Sequence, residues 1–140
     1  MPVFAWHDRK KQHDFDTSQF LGSSSNTFVD WEVVTLFYSV LHYVDSYLSK
    51  AFKIDVVFDH SDRKQLVHFF LPILEKDYRL LYHLGTDARY EQVPMGQNEL
   101  SKAKTVHAGI KNQLTPVTCI NCGYTNLLNR GKCEKCGNIF

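Results

Sequence analysis

All four cysteines of this 140-residue chain lie in its last 22 positions, where they follow the pattern C-x2-C-x10-C-x2-C. Two CxxC turns that face each other bring four thiolates into the tetrahedral arrangement that zinc accepts in structural sites, with no open coordination position. Two disulfides are the rival interpretation, but regularly spaced CxxC pairs in a chain without a secretory signal favour metal. The sequence therefore predicts one structural Zn2+ per chain, bound by Cys119, Cys122, Cys133 and Cys136.

The residues around these cysteines predict a small zinc ribbon over 116–140. Gly123 and Gly137 follow the two pairs, and glycine lets each turn adopt positive φ. The turn signal at 129–131 predicts a short hairpin between the two pairs. One interpretation is that the ribbon only fastens the C-terminus. The other is that it contacts RNA, DNA or a protein partner through the polar and basic side chains of its loop, which are Tyr124, Asn126, Arg130, Lys132 and Lys135.

A second set of chemically capable residues lies on the segment that follows residue 28. Apolar residues at helical spacing predict a long helix, capped by Asp30 and apolar nearly all round, at the centre of a bundle. One stripe of this helix is polar, and steps of three and four place its members on one face. Such a stripe either packs against other polar side chains or lines a cleft. Its members are Thr35, Tyr38, His42, Asp45 and Ser49.

Four more helices are predicted around the long one. The first is short and lies within 8–21, and the third begins at a cap provided by Ser61 or Asp62. Pro72 ends the third helix, because proline removes a backbone donor, and Gly85 ends the fourth. The fifth spans 97–114.

The segments between the helices are predicted to be loops at 22–27 and 93–96, and an irregular connector at 53–58. We therefore predict an all-α fold: a bundle of about five helices over 1–115, with a small C-terminal zinc ribbon.

Composition limits the classes of partner. The net charge is +1 and charged residues make up 22% of the chain, so any contact with phosphates has to come from local patches. No apolar run reaches the length of a membrane span, and we expect no membrane association. The N-terminal residues lack a basic stretch followed by a long apolar run, so we predict no secretory signal and a cytoplasmic location.

The region from about 10 to 112 resembles a bacterial and archaeal branch of the HEPN domain family. The resemblance is most specific in four short pieces of sequence. They are Asp30-Trp31, Phe37-Tyr38 with His42, the pair His60 and Arg63, and Ala88-Arg89-Tyr90. It implies a small helical bundle that forms a homodimer and acts on RNA. Many members of the family resemble metal-independent endoribonucleases of toxin and defence systems, and others are non-catalytic partners or assembly modules.

The family's catalytic motif is an arginine followed, after four to six residues, by a histidine. Arg63 and His68 match this motif at the start of the predicted third helix, although Lys64 stands where the family often has Asn, Asp or His. The resemblance thus implies that Arg63 and His68 are catalytic. The competing assignment is that His60 and Arg63 form the site and that His68 is an ordinary helix residue.

The expected chemistry needs no metal. A histidine takes the proton of the RNA 2′-hydroxyl, and an arginine stabilises the charge that develops on phosphorus. The further candidates to line the cleft are Tyr38, His42, Arg89 and Tyr90. The alternative function is a non-catalytic, zinc-containing binding or assembly module that uses the bundle for dimerisation or for protein partners. In a third, purely structural interpretation, the polar stripe is satisfied internally and the zinc only staples the tail.

Overall fold

The computed structural model describes residues 3–23, 28–55, 59–90 and 95–140. These residues form five α-helices followed by a small two-stranded unit, which confirms the predicted fold class. The helices are α1 (Val3–Ser23), α2 (Val29–Phe52), α3 (His60–Phe70), α4 (Glu75–Tyr90) and α5 (Gln97–Leu114). No helix in the described part of the chain has the length and apolar character needed to cross a membrane.

The central position of α2 is confirmed. It packs against α1, α4 and α5, and it supplies the largest share of the core because apolar side chains cover most of its circumference. Val33, Phe37, Val40, Val44 and Leu48 are all fully buried. The polar face of α2 is therefore held inside or at the edge of a packed bundle, where its members need hydrogen-bond partners.

Helix α1 is longer than the predicted short helix within 8–21. Its turns are reinforced by side-chain ion pairs at helical spacing: Lys10 lies 2.8 Å from Asp14, and Lys11 lies 2.7 Å from Asp8. The extra N-terminal turn carries His7 onto the face that packs against α2, where it is 9% exposed.

The predicted N-caps of α2 and α3 are wrong. Helix α2 begins at Val29, and Asp30 accepts a hydrogen bond from the backbone N–H of Met95 at 2.9 Å instead of capping the helix. Helix α3 is capped by Asp59, whose carboxylate accepts the backbone N–H of Asp62 at 2.8 Å. In both places an acidic residue next to a helix start could serve more than one role, and tertiary contacts decide between them.

Gly85 does not end the fourth helix, which continues to Tyr90. A Cβ atom at Gly85 would lie 2.8 Å from Cβ and from Cγ of Phe37, closer than such contacts occur. The glycine therefore serves a close approach between α4 and α2, and not a helix stop.

Two other boundaries agree with the prediction. Pro72 interrupts the helical run, and a single 3-10 turn at Pro72–Leu74 separates α3 from α4. The fifth helix has the predicted bounds. Parts of the predicted loops and of the connector, at 24–27, 56–58 and 93–94, lie outside the described residues.

The ribbon consists of two hairpin-like turns, and each of them closes around one cysteine pair. Strands β1 (Val117–Thr118) and β2 (Thr125–Asn126) pair antiparallel on either side of the first pair. A bridge between Lys132 and Ile139 closes the second. The predicted hairpin between the pairs is therefore wrong. Gly123 and Gly137 have φ of 69° and 75°, as predicted.

The ribbon is attached to the bundle by specific contacts. Leu128 is 5% exposed and belongs to the same apolar core as the helices. The backbone N–H of Asn129 donates to the carbonyl oxygen of Gln113 in α5 at 2.8 Å. Within the ribbon, the buried Asn126 donates to the carbonyl oxygen of Val117 and accepts from the backbone N–H of Glu134, so it joins the two turns.

Candidate functional sites along the polar face of the second helix

The polar face of α2 divides between two clusters. At its ends Thr35 donates to its own helix backbone, and Ser49 donates to Asp55 at 2.5 Å. Between them, His42 and Asp45 point between α1 and α3, whereas Tyr38 contacts the end of α4. We call the first group the inner cluster (His7, Asp14, His42, Asp45, Arg63) and the second the outer cluster (Tyr38, His60, Lys64, Tyr82, Arg89).

In the inner cluster, two imidazoles face each other. Nδ1 of His7 lies 2.9 Å from Nδ1 of His42, and the same His7 nitrogen lies 4.0 Å from Oδ2 of Asp45. Nε2 of His42 lies 3.9 Å from Oδ2 of Asp14. Trp6 packs edge-on against both imidazoles, at ring-centroid distances of 4.9 Å and 5.1 Å. His42 and Asp45 come from one turn of α2, helix α1 supplies His7 and Asp14, and α3 supplies Arg63.

Arg63 belongs to this interior group. Its Nε donates to Oδ1 of Asp45 at 2.7 Å, and its Nη2 donates to Oδ2 at 3.0 Å, in a two-pronged ion pair. Arg63 is 6% exposed and Asp45 is 4% exposed. The guanidinium is thus directed into the bundle and tied to the polar face of α2.

Burial keeps the inner imidazoles neutral. It lowers the pKa of His42 to about 4, helped by the neighbouring His7 and opposed by the carboxylate of Asp14. Burial likewise lowers the pKa of His7, although the Asp45 carboxylate acts in the opposite direction. Both rings therefore offer nitrogen lone pairs near neutral pH.

The outer cluster gathers basic and aromatic side chains. Nη1 of Arg89 donates a hydrogen bond to the hydroxyl of Tyr38. Nζ of Lys64 lies 4.1 Å from the ring centroid of Tyr82, and the His60 ring lies 5.5 Å from the same ring. These are side chains of α2, α3 and α4, and the close approach of α4 at Gly85 lets them meet.

Two nitrogen atoms of the outer cluster are buried and lack a protein partner. Within the described residues, neither Nδ1 of His60 nor Nε of Arg89 has a hydrogen-bond partner. Burial lowers the pKa of His60, and the positive charges of Arg63, Arg89 and Lys64 lower it further. His60 is therefore a neutral imidazole in a positively charged setting.

A cavity of about 440 Å³ adjoins the outer cluster. Arg89 lines it, with its guanidinium carbon 4.7 Å from the ring centroid of Tyr90. Tyr90 is 69% exposed and Trp31 is 62% exposed, so two aromatic rings reach solvent beside a cation. The other lining residues are Asp30, Val34 and Ala88.

The structure does not bring Arg63 and His68 together. Arg63 is directed into the bundle, whereas the side chain of His68 is 57% exposed and lies on the outer face of α3. Nδ1 of His68 is 2.8 Å from Oε2 of Glu75, a carboxylate that also accepts from Arg79. His68 lines another surface cavity, of about 470 Å³, which Lys64 of the outer cluster also lines.

The four cysteines lie close enough together to bind one metal ion. The Sγ atoms of Cys119 and Cys136 are 3.7 Å apart, and those of Cys122 and Cys133 are 3.6 Å apart. Four sulfurs at about 2.3 Å from a tetrahedral zinc ion are roughly 3.8 Å from one another, so the spacing fits. Backbone N–H groups also donate to the sulfurs, such as that of Tyr124 to Cys122.

The sequence-based candidates therefore separate into groups. Tyr38, His60 and Arg89 meet in the outer cluster, with Tyr90 beside it, whereas His42 joins Arg63 in the inner one. Sequence reasoning missed His7 and Asp14, which sit seven residues apart on α1 and so share a face; Asp14 lies within the predicted first helix, but His7 precedes it. It also missed Lys64 and Tyr82 as members of a site.

Comparison of the chain with family models, with curated proteins and with solved structures finds no significant match.

Proposed function

We propose that this chain is an HEPN-like, RNA-directed protein of the cytoplasm whose RNA contact is the outer cluster. The supporting observation is the pair of buried nitrogen atoms, Nδ1 of His60 and Nε of Arg89, without a hydrogen-bond partner among the described residues. Buried donors and acceptors are nearly always satisfied in folded proteins, so the unsatisfied nitrogen of Arg89, which lines the cavity, and that of His60 in the same cluster favour a ligand here. An RNA phosphate with its neighbouring 2′-hydroxyl supplies both partners.

The charge around these atoms suits a phosphate group. Arg89 and Lys64 act electrostatically on His60, although the chain as a whole carries a net charge of only +1. A local positive patch in a nearly neutral protein is the electrostatic footprint that phosphate binding requires. The guanidinium of Arg89 has further N–H donors for the phosphate besides the one bonded to Tyr38.

The aromatic rings suit single-stranded RNA. Trp31 and Tyr90 expose their rings at the cavity that Arg89 lines, and unpaired bases stack on such faces without strong sequence preference. Because Arg89 lines the same cavity, a base stacked on these rings would bring its phosphate toward the guanidinium.

In the catalytic form of this proposal, the reaction is transesterification by the RNA itself. Nδ1 of His60 takes the proton of the 2′-hydroxyl, and the 2′-oxygen forms a bond to phosphorus as the bond to the 5′-oxygen breaks. The 5′-oxygen takes a proton from water, and Arg89 stabilises the charge on the phosphorane. The products are a 2′,3′-cyclic phosphate and a 5′-hydroxyl. Arg63 acts here as a positioning residue, since it fixes the first turn of α3, on which His60 lies.

A second candidate function is a non-catalytic binding or assembly module. It is favoured by the contacts of the two motif residues, because Arg63 is engaged by Asp45 and His68 by Glu75. In this version the outer cluster holds RNA without cleaving it, and the ribbon, with its zinc ion, contributes loop contacts to RNA or to a protein partner. Homodimerisation, which the family resemblance implies, belongs to both versions.

The test is an incubation of the purified full-length protein with mixed single-stranded RNA in EDTA, while circular dichroism verifies that the bundle stays folded. We expect cyclic-phosphate products with the wild type and at least a hundredfold slower cleavage with His60→Ala or Arg89→Ala. His68→Ala and Arg79→Ala, which remove a histidine and an arginine from the other surface cavity, are the matched controls and should cleave normally.

Binding is measured in parallel by gel shift over a range of salt concentrations. Salt-sensitive binding that Arg89→Ala weakens, without cleavage, would select the non-catalytic version. Wild-type protein that neither cleaves nor binds RNA, or binding that Arg89→Ala leaves unchanged, would contradict the assignment of the outer cluster.

A further inference from the structure

We propose that the inner cluster is a second metal site, in which Nδ1 of His7, Nδ1 of His42 and a carboxylate oxygen of Asp45 bind a divalent transition-metal ion such as Zn2+. These ligand atoms all lie within 4.8 Å of one another, and all three residues are buried. The site is separate from the four cysteines and takes no part in the proposed reaction with RNA.

The spacing of the two imidazoles is close to that of ligands on one ion. Two nitrogens at about 2.1 Å from a tetrahedral zinc ion lie roughly 3.4 Å apart, and at right angles on an octahedral ion about 3.0 Å apart. The Nδ1 atoms of His7 and His42 are 2.9 Å apart. Oδ2 of Asp45, 4.0 Å from His7, has to move closer by less than about 1 Å to complete the set.

Two neighbouring charged groups flank the ligands: Arg63 is bonded to Asp45, and Asp14 faces His42. Oδ2 of Asp14 is buried and has no hydrogen-bond partner among the described residues, and it lies 3.9 Å from Nε2 of His42. A proton on that Nε2 points toward Asp14, a contact that has to shorten by about 1 Å to become a hydrogen bond, and it leaves the Nδ1 lone pair for a metal, as in the metal-binding histidines of other proteins. Arg63 orients the third ligand, because it donates two hydrogen bonds to the carboxylate of Asp45.

The ion pair with Arg63 does not exclude a metal. Each carboxylate oxygen has two lone pairs, so Oδ2 of Asp45 can accept from Nη2 of Arg63 and still bind an ion with the other. The donor set of two imidazoles and one carboxylate suits zinc and its transition-metal neighbours, and not calcium or magnesium. Because His7 lies on α1 and the other two ligands on α2, the ion would join these two helices.

The metal-free alternative is a hydrogen bond from one Nδ1 to the other. It also explains the 2.9 Å distance between His7 and His42, and it leaves Asp14 at the same distance from His42, but it brings no third group to the pair. The two interpretations differ in metal content, which is directly measurable.

The experiment counts zinc in the full-length protein after equilibration with nanomolar free zinc, by elemental mass spectrometry. We expect two ions per wild-type chain and one in the double variant Cys133→Ser/Cys136→Ser, which removes the ribbon site. His42→Ala should also contain one, and His42→Ala in the cysteine variant should contain none. His83→Ala, which removes an exposed histidine of α4, is the matched control and should retain two.

The cysteine variant alone decides the question if His42→Ala does not fold. One zinc ion in it, with cobalt substitution that gives visible bands without sulfur-to-metal charge transfer, supports a site of nitrogen and oxygen ligands. One ion per wild-type chain and none in the cysteine variant would overturn the proposal. RNA binding by the outer cluster should be the same in His42→Ala as in wild type, so the two proposals fail separately.

Discussion

The two clusters lie about one turn apart on the same face of α2, yet they differ in how deeply their charged side chains are buried. In the inner cluster, Asp45 and Arg63 are almost fully buried and joined by two hydrogen bonds. In the outer cluster, His60 and Arg89 are only half-buried, and each retains a nitrogen without a partner among the described residues. The inner end of the polar stripe thus holds a buried ion pair beside the proposed metal ligands, whereas the outer end lies nearer the surface, where RNA binding is proposed.

The largest expected effect comes from breaking the inner ion pair. Asp45→Ala should lower the free energy of unfolding by about 3–5 kcal/mol, because it leaves the guanidinium of Arg63 buried without its carboxylate. Urea denaturation measures this. Asp16→Ala, which removes an exposed carboxylate of α1, should change stability little. A loss below about 1 kcal/mol for Asp45→Ala would remove the stability role from the inner cluster.

A buried histidine outside both clusters tests whether the interior disfavours charge. Burial, and then the charge of Lys111, lowers the pKa of His107 to about 4, below its usual 6.5. As the pH falls, His107 takes up a proton in the unfolded chain before it does so in the folded protein. Its contribution to the free energy of unfolding is therefore fully present above pH 6.5 and is lost, by about 3 kcal/mol, as the pH drops toward 4. His107→Gln should reduce this loss in urea titrations at several pH values. The exposed His13→Gln should leave the loss unchanged, and equal curves for both variants would contradict the expectation.

A third variant tests the link between packing and the outer cluster. Gly85→Ala places a Cβ against Phe37 and should cost about 1–3 kcal/mol in unfolding free energy. Since the Phe37 ring lies 5.5 Å from His60 and 5.8 Å from Tyr82, RNA binding should weaken as well.

The matched control for Gly85→Ala is Gly109→Ala in α5, because a Cβ there meets no atom within 4 Å. It should stabilise the protein by up to about 1 kcal/mol through helix propensity. Denaturation and gel-shift measurements on both variants decide the matter. If Gly85→Ala and Gly109→Ala were equally stable, the contact between α4 and α2 would have room for a methyl group at position 85.

The smallest effect is expected at His68. His68→Ala removes one partner of an exposed ion pair with Glu75, and such pairs contribute little because water screens them. Its unfolding midpoint and its RNA cleavage should match those of the wild type, whereas His60→Ala keeps the midpoint and loses cleavage. If His68→Ala lost RNA cleavage but kept its stability, the catalytic residues would be Arg63 and His68 of the arginine–histidine motif, and not His60 and Arg89.

The fold was predictable because its signals are local. The apolar spacing along α2, the break at Pro72 and the bounds of α5 could all be read from short segments. Gly85 misled the prediction because a glycine near a helix end favours a stop, and only the position of Phe37 on another helix explains why it does not end α4. The predicted N-caps of α2 and α3 were wrong for a similar reason, because contacts in the folded structure decide which nearby residue caps a helix.

The sites were predictable only in part. The spacing of the four cysteines is enough to bring the sulfurs together, because two short turns determine their positions. The polar face of α2 was also visible in sequence. Which partners it meets depends on how α1, α3 and α4 are placed around it, and no pattern along the chain shows that His7 meets His42 or that Arg89 meets Tyr38.

Leu128 of the ribbon packs into the apolar core, so the C-terminal ribbon contributes to the stability of the helical bundle. A chain truncated after α5 would lack Leu128, which would leave a cavity among the helices and expose apolar side chains to water. We therefore expect the helical bundle to be less stable without the ribbon. Oxidation of the cysteines, or removal of a bound metal by a chelator, would then weaken the packing between helices that contain no cysteine.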